Sequence, residues 1–486
     1  MAEEYKGRVI VFSITGCSHC KSAKSLLTER NIPFVDVNLD TFPNLREEVK
    51  RRTNRSTVPQ VFFNNIHVGG NEELQNLMKN EDKWQALIQE IKENEPPEDA
   101  PTPPAEDAFV DSDSKDDSGP ILKCEEDEFY SLAKEIKDSG VLKDHRQGLF
   151  HVVRRSITSE ELVSWMKETK NMDQENAIET GKQLVERHFL VPLRKGTTFK
   201  DDSNALYRMI DYQWENALNA IPISECKARQ AFEVAEEMRK LILKLYSEYL
   251  SSDGKKVDYR GLGASESFKE YKKLSTELQR VNLKGLSREE TLAFFINIYN
   301  ALVVHATVSR GPPTNLWQRW KFFNSVSYII GGHPYSLQDI ENGVLRGNKR
   351  GIGMFFCPFG KADPRLQFIM KEVDPRIHFA LVCGAKSCPP IKTYSPQNIN
   401  KELQLATEAF LESEDGVKVI DDQSQVLLSS IFKWYKCDFG SSEEELLRWL
   451  YQQMNDGEKK KLLGGVIQNP KRKVSYIQYN WGLNSA

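Results

Sequence analysis

The chain has 486 residues, a net charge of -4, eight cysteines and 39% hydrophobic residues. That length calls for several domains, and a near-neutral charge balance recommends no polyanionic partner, so nucleic acid is not expected. No run of about eighteen apolar residues is present, and the acidic start MAEEYKGRVIVF lacks the basic head and apolar stretch of a secretory signal. These features predict a cytoplasmic protein with no transmembrane segment. Eight cysteines are too sparse for a disulfide scaffold, so in a reducing compartment the close pairs Cys17/Cys20 and Cys383/Cys388 point to redox chemistry, metal binding or catalysis.

Residues 1–92 read as one α/β domain: strand Arg8–Ile14, helix Ser18–Arg30, strand Phe34–Asn38 and helix Asn44–Thr53. Short strands at Gln60–Phe63 and His67–Val68 follow, then terminal helices to Ile91. The first strand runs directly into a helix headed by Thr-Gly-Cys-Ser-His-Cys, with Cys17 at the helix start. Unpaired amides and the helix dipole favour a thiolate there. Cys20 lies one turn on, placed to attack a mixed disulfide at Cys17 and release the partner as a thiol. His19 between them adds positive charge when protonated, which would depress the Cys17 pKa further and make the domain a better oxidant. A Cys-x-x-Cys pair also occurs in zinc knuckles, but here it follows a strand and no second pair stands at zinc-finger spacing, so no metal is expected at it.

Thr57-Val58-Pro59 precedes a strand, and Gly69-Gly70-Asn71-Glu72 opens a helix. With the cysteine-headed helix, these motifs make residues 1–92 resemble the glutaredoxin family, a thioredoxin-like fold. The resemblance implies a cis proline at Pro59 beside the active cysteine and a neighbour, Val58, that pairs with the backbone of a bound peptide. It also implies that Gly70, Asn71 and Glu72 hold the γ-glutamyl end of glutathione, which would act as co-substrate. The catalytic set is then Cys17, Cys20 and His19. Two positions depart from the family. Cys-Ser-His-Cys replaces the usual Cys-Pro-Tyr-Cys, and Ile14 stands where a lysine normally meets a glutathione carboxylate, with Arg55 as the candidate cation to take its place.

Residues 93–122, rich in Pro, Asp, Glu and Ser, have almost nothing apolar to bury and are expected to form a disordered acidic linker. Residues 123–212 read as helix, hairpin, two helices and a two-stranded wing. The segments EELVSWMKETKNM and AIETGKQLVERHFLVPLRKGTTFKDDSNALYRM resemble the DEP domain, a winged-helix signalling module. That resemblance implies docking to a membrane surface or receptor tail and no chemistry of its own. Lys143, Arg146, Arg154 and Arg155 are the candidates for a basic face towards acidic lipid.

Residues 213–486 open with a long helical stretch from Cys226 to Leu250. The helix Glu289–Val308 is apolar nearly all round yet carries Asn297, Asn300 and His305, which need partners if buried. In DPRIHFALVCGAKSCPPI, Ile377–Val382 reads as a buried strand followed by a turn from Cys383 to Pro390. His378 and Cys383, five apart, would then face opposite ways. These segments, with HPYSLQDIENGVLR and SSIFKWYKCDF, resemble the domain of unknown function numbered 547. Thiol acyl transfer would use Cys383 or Cys388 as nucleophile, His305 or His378 as base, and Glu341 or Asn297 as orienter. A zinc site of His378, Cys383 and Cys388, or a purely structural cluster, would use the same residues.

The expected architecture is multidomain α/β and α+β, with a thioredoxin-like head, a winged-helix middle and a larger mixed α/β C-terminal domain. The expected function is a glutathione-linked thiol–disulfide oxidoreductase acting on disulfide or glutathionylated proteins, fused to a signalling or docking module. The alternatives are a non-catalytic adaptor and a cysteine-dependent hydrolase or acyltransferase in the C-terminal domain.

Overall fold

The computed structural model describes residues 5–14, 17–39, 42, 45–55, 57–103, 124–147, 151–194, 197–200, 205–249, 257–388, 392–420 and 424–483. The chain gathers into two compact units: Met1–Gly119 with Ile242–Ala264 and Asp374–Ala486, and Pro120–Leu241 with Ser265–Val373.

The head runs β1 (Val9–Ser13), α1 (Ser18–Glu29), β2 (Val35–Asn38), α2 (Leu45–Thr53), β3 (Gln60–Phe63), β4 (Ile66–Gly69), α3 (Asn71–Met78) and α4 (Glu81–Glu93). Its sheet has the order β2-β1-β3-β4, with β2 parallel to β1 and the other pairs antiparallel. Every residue of β1 is buried, because side chains alternate between two apolar layers. Val9 and Val11 pack with Ala23, Leu27, Leu74 and Trp84. Ile10 and Phe12 pack with Val37, Val49, Cys17 and Cys20.

The acidic segment after α4 departs from expectation in its first part. Ala100 is buried, Arg8 donates to Pro101 O at 2.7 Å and Arg52 to Asp99 O at 2.7 Å, and Asn65 holds the Asp99 carboxylate. Residues 94–103 therefore lie against the head, since backbone carbonyls and one small apolar side chain find partners that composition does not reveal. The remainder of the expected linker, 104–122, lies outside the described residues.

The second unit begins with the expected winged-helix order: α5 (Tyr130–Asp138), β5 (Lys143–Gln147), β6 (His151–Thr158), α6 (Ser159–Lys170), α7 (Gln174–Glu186), β7 (Leu190–Pro192) and β8 (Leu206–Met209), in a sheet ordered β5-β6-β8-β7. Thr158 and Glu161 close a capping box that starts α6. There follow α8 (Ile210–Gln213) and α9 (Ala231–Tyr249), whose end from Ile242 on is assigned with α10 (Tyr259–Ala264) to the first unit, and then, again in the second, α11 (Glu266–Glu277), α12 (Arg288–Arg310), α13 (Leu316–Ser325), β9 (Ser327–Ile330), β10 (His333–Ser336) and a π-helical stretch, Asp339–Leu345.

Packing is continuous across Tyr212 to Ser224, where the change from strand-like to helical sequence suggests a domain boundary. Ile329 of β9 belongs to the winged-helix core. The Asn219 amide bonds Ser275 O and both backbone groups of Ile329 at 2.8–2.9 Å. Fully buried Arg280 meets Asp127 at 3.0 Å and lies over the Phe189 ring. Cys124 and Cys226 form a disulfide across 102 residues, a pairing that spacing alone does not suggest. Helix α12 is long and apolar enough to cross a membrane by length and composition, but 89% of its apolar window is buried in protein. It is a core helix.

In the first unit, the expected strand Ile377–Val382 is instead a 3-10 turn, Pro375–Phe379. Asp374 caps the Arg376 amide and Pro375 presets the first helical φ, so local start signals override the apolar run. The unit is completed by α14 (Ile399–Glu412), β11 (Val417–Val419), β12 (Gln425–Ser429), α15 (Ser430–Trp434), α16 (Lys436–Phe439), α17 (Glu443–Gln453), α18 (Glu458–Gln468) and β13 (Lys473–Ile477).

Gly181 of α7 faces the Phe199 ring so closely that a Cβ would stand 2.2 Å from it. Gly181→Ala gains ~1 kcal/mol of helix propensity, but overpacking costs about 1–3 kcal/mol. A net loss of up to ~2 kcal/mol is expected, read as a lower urea midpoint of the winged-helix transition.

Candidate functional site

Cys17 is the N-cap of α1, with extended backbone (φ -82°, ψ 114°) and its sulfur accepting the Cys20 amide at 3.1 Å. A sulfur in that position takes up one of the amide donors left free at a helix start. Both cysteines are buried and joined as a disulfide with Cα atoms 5.2 Å apart. His19 is exposed between them. The Val58–Pro59 peptide is cis, and Val58 O lies 3.9 Å from Cys17 Sγ. Cys17, Cys20, Val58 and Pro59 are thus brought together as the motifs implied.

The Gly69-Gly70 turn stands at the end of β4. Gly69 has φ +117°, which favours glycine, and Gly70 is the N-cap of α3. Glu73 accepts the Gly70 amide at 3.0 Å and also pairs with Arg55. Burial opposes ionisation of Glu73, yet the Arg55 bond and the backbone amides outweigh it and hold the carboxyl below its ordinary value. Glu72 is exposed. The carboxylate that engages Arg55 is therefore Glu73, which the motif reading missed although its N3 position in a capping box marks it. Arg55 has this partner in place of the role suggested for it. Ile14 is buried in the layer that holds both cysteines. Asn71 is also buried, and its Oδ1 has no hydrogen-bond partner, so an acceptor is left open beside the glycine turn.

The seven C-terminal candidates divide between the two units. Asn297, Asn300 and His305 lie on α12, all buried. His305 Nδ1 bonds Tyr328 Oη at 2.8 Å, Tyr328 in turn bonds Tyr271, and Phe268 packs edge-on to the imidazole. Burial first, then Lys272 and Arg310, lowers the His305 pKa to about 3. It stays neutral as part of an aromatic core. Glu341 is buried and accepts from Tyr299 Oη at 3.2 Å.

His378, Cys383 and Cys388 lie in the first unit. His378 Nε2 meets Asp438 at 2.9 Å and the ring stacks on Tyr435. The side-chain partners of the two sulfurs are each other and Tyr479. The structure therefore does not assemble the cysteine–histidine pair that acyl transfer requires. Among the described residues no group of three or more His, Cys, Asp or Glu is arranged to hold a metal ion. Sequence reasoning missed Asp438, although it lies in the quoted SSIFKWYKCDF motif. It also missed Tyr479, for which no local signal exists.

Three family models match in order: Glutaredoxin over residues 9–68, the domain found in Dishevelled, Egl-10 and Pleckstrin (DEP) over 140–209, and a protein of unknown function, DUF547, over 283–411. Glutaredoxin 1 of Rickettsia conorii is 32% identical over 90 residues, which is 18% of this chain and 83% of that protein. Glutaredoxin-2 of Schizosaccharomyces pombe is 37% identical over 89 residues, covering 18% of this chain and 80% of the relative. Glutaredoxin 3 of Escherichia coli K12 is 35% identical over 66 residues, 14% of this chain and 80% of the relative. With the dithiol at the helix start and the cis proline beside it, these matches show that the chain, through its N-terminal domain, belongs to the glutaredoxin family.

Proposed function

We propose that the head is a glutathione-linked thiol–disulfide oxidoreductase of the cytoplasm, with Cys17 as nucleophile and Cys20 as resolving thiol. The observation that carries this reading is the Cys17 sulfur held at the N-terminus of α1 by the Cys20 amide, where a thiolate is stabilised. Attack by Cys17 on a glutathionylated protein releases the protein thiol and leaves glutathione on Cys17. A second glutathione thiolate then takes that glutathione away as glutathione disulfide and restores Cys17. On a protein disulfide, Cys20 attacks the Cys17 mixed disulfide, releases the second protein thiol and forms the observed Cys17–Cys20 bond. His19, exposed beside the pair, adds positive charge at the mouth of the site when protonated.

Glutathione fits the residues present. Val58 beside the cis bond offers its backbone, while Gly70, Asn71 and Glu72 offer the turn and the acceptors for a γ-glutamyl group. The unpaired Asn71 Oδ1 suits its ammonium. No cation occupies position 14, so a carboxylate contact found in other glutaredoxins is missing there.

Cys17→Ser should abolish reduction of a glutathionylated peptide, whereas Cys20→Ser should keep that activity and lose reduction of a protein disulfide. Retained activity in Cys17→Ser would reject Cys17 as the nucleophile, whereas intact partner binding by a Cys17→Ser, Cys20→Ser double variant would favour a binding-only adaptor. Asn71→Leu should raise KM for glutathione about tenfold with kcat little changed, the loss expected for one hydrogen bond to a charged group.

The middle domain is read as the docking element. The β5–β6 hairpin exposes Lys143, Arg146, Arg154 and Arg155 together with Val152, a basic and apolar combination suited to an anionic lipid surface. Arg155 also stacks on Tyr212 at 4.8 Å, which leaves the other three as the freer cations. The double variant Arg146→Glu, Arg154→Glu should lose most sedimentation with phosphatidylserine vesicles, and the unaltered protein should bind less as salt rises. Binding that ignores both changes would reject this surface.

A further inference from the structure

The turn bearing Cys383 and Cys388 takes no part in the chemistry assigned to the head. Gly384 adopts φ +78°, and the Cys388 amide bonds Ala385 O at 3.0 Å. Five residues of extended chain would span roughly 16 Å. The turn instead brings the two sulfurs to 3.1 Å without bonding them.

The segment near the C-terminus closes over this turn. Lys386 N donates to Gly482 O at 2.8 Å, Ala385 bridges Leu483, and Asn480 N donates to Ser387 Oγ at 3.2 Å. This strap delivers Tyr479, whose hydroxyl lies 3.1 Å from Cys388 Sγ and 3.7 Å from Cys383 Sγ. Cys388 Sγ also accepts the Cys383 amide at 3.4 Å. Cys388 Sγ thus has three hydrogen-bonding partners: a thiol, a phenol and an amide. The Cys383 thiol first, with the phenol and the amides, draws the Cys388 pKa down against the effect of burial, and the same bond pushes Cys383 up. One sulfur is prepared as the thiolate and the other keeps the proton.

A metal would need further ligands, and an acyl-transfer nucleophile would need a base. Asp438 engages His378, and among the described residues no histidine meets either sulfur. Two thiols in contact, one poised as an anion, have the makings of a disulfide-forming pair. We propose that Cys383 and Cys388 form a second dithiol–disulfide centre, distinct from Cys17 and Cys20, which is oxidised by a low-molecular-weight disulfide of the glutathione class. The Cys388 thiolate attacks one sulfur of glutathione disulfide, forming a mixed disulfide and expelling one glutathione thiolate. Cys383 then gives up its proton and attacks Cys388 Sγ, expelling the second glutathione. Two protein thiols are oxidised and one glutathione disulfide becomes two glutathione thiols. Oxidation removes the anion to which Tyr479 donates, so the centre reports its state to the strap. There Tyr479 packs on Trp481 at 4.5 Å and Trp434 stacks on Trp481 at 5.2 Å.

The test uses the full chain carrying Cys17→Ser and Cys20→Ser, so that its outcome is independent of the head. The protein is equilibrated in buffers of rising glutathione disulfide to glutathione ratio, alkylated and digested with trypsin. Cleavage at Lys386 separates the two cysteines unless they are bonded. The expected result is a linked peptide pair that appears in one two-electron transition, with a parallel change in tryptophan emission. Adding Cys383→Ser should convert it to a stable glutathione adduct on Cys388. Tyr479→Phe, which keeps the ring, should slow oxidation several-fold. Two free thiols at every ratio, or an adduct on Cys388 while Cys383 is present, would overturn the proposal. Oxidation at an unchanged rate in Tyr479→Phe would overturn the part assigned to the phenol.

Discussion

The bond from the Cys20 amide to the Cys17 sulfur is the contact on which the glutaredoxin-like head is organised. It requires a chain that leaves a buried central strand and enters a helix within a few residues, and it requires the capping residue to be a cysteine. Strand β1 meets the first condition because its apolar side chains alternate between two layers and hold it in the middle of the sheet. Once the strand is fixed, the head of α1 is fixed with it. The cis Val58–Pro59 peptide then places a carbonyl near the same sulfur. The helix start brings an amide to one side of the sulfur, and the residue before the cis bond brings a carbonyl to another.

A different constraint organises the second unit. Arg280 and Asp127 are both out of water, and an ion pair so placed needs further hydrogen bonds to offset its desolvation, which it finds although Arg280 Nε itself has no partner. Arg280 also donates to the carbonyls of Ser224 and Cys226, and Asp127 also accepts from Arg187 and the Phe129 amide. Burial works against the Asp127 charge, but these partners keep its carboxyl below the ordinary range. The Cys124–Cys226 bond lies beside the same carbonyls. Pair and disulfide together bind the front of the winged helix to the segment that follows it, so this module is continuous with what comes after.

The two close cysteine pairs illustrate two ways of preparing a sulfur. In the head a helix N-terminus does it, with donors that belong to every helix. At Cys383 and Cys388 no helix is involved; a glycine-bearing turn folds one sulfur onto the other, and a tyrosine from near the end of the chain supplies the remaining donor. The first arrangement is local and the second is assembled from residues about ninety positions apart, as their separation records.

Local sequence determined the head nearly completely. Period-two burial, a helix headed by Cys17, a Thr-Val-Pro before a strand and a Gly-Gly before a helix are all short-range patterns, and short-range physics enforces them. The same holds for the order of elements in the winged helix. The strand expected at Ile377–Val382 failed because an apolar run shows burial but not backbone form, and the Asp-Pro start before it decided the form. Other features rest on contacts between distant residues. The partner of Arg55, the packing of 94–103, the disulfide at Cys124, the closure of Asp438 on His378 and the arrival of Tyr479 at two sulfurs are of this kind. No window of sequence contains both sides of such a contact. Only the folded chain chooses among the partners that composition leaves open, because burial demands that each polar group find one.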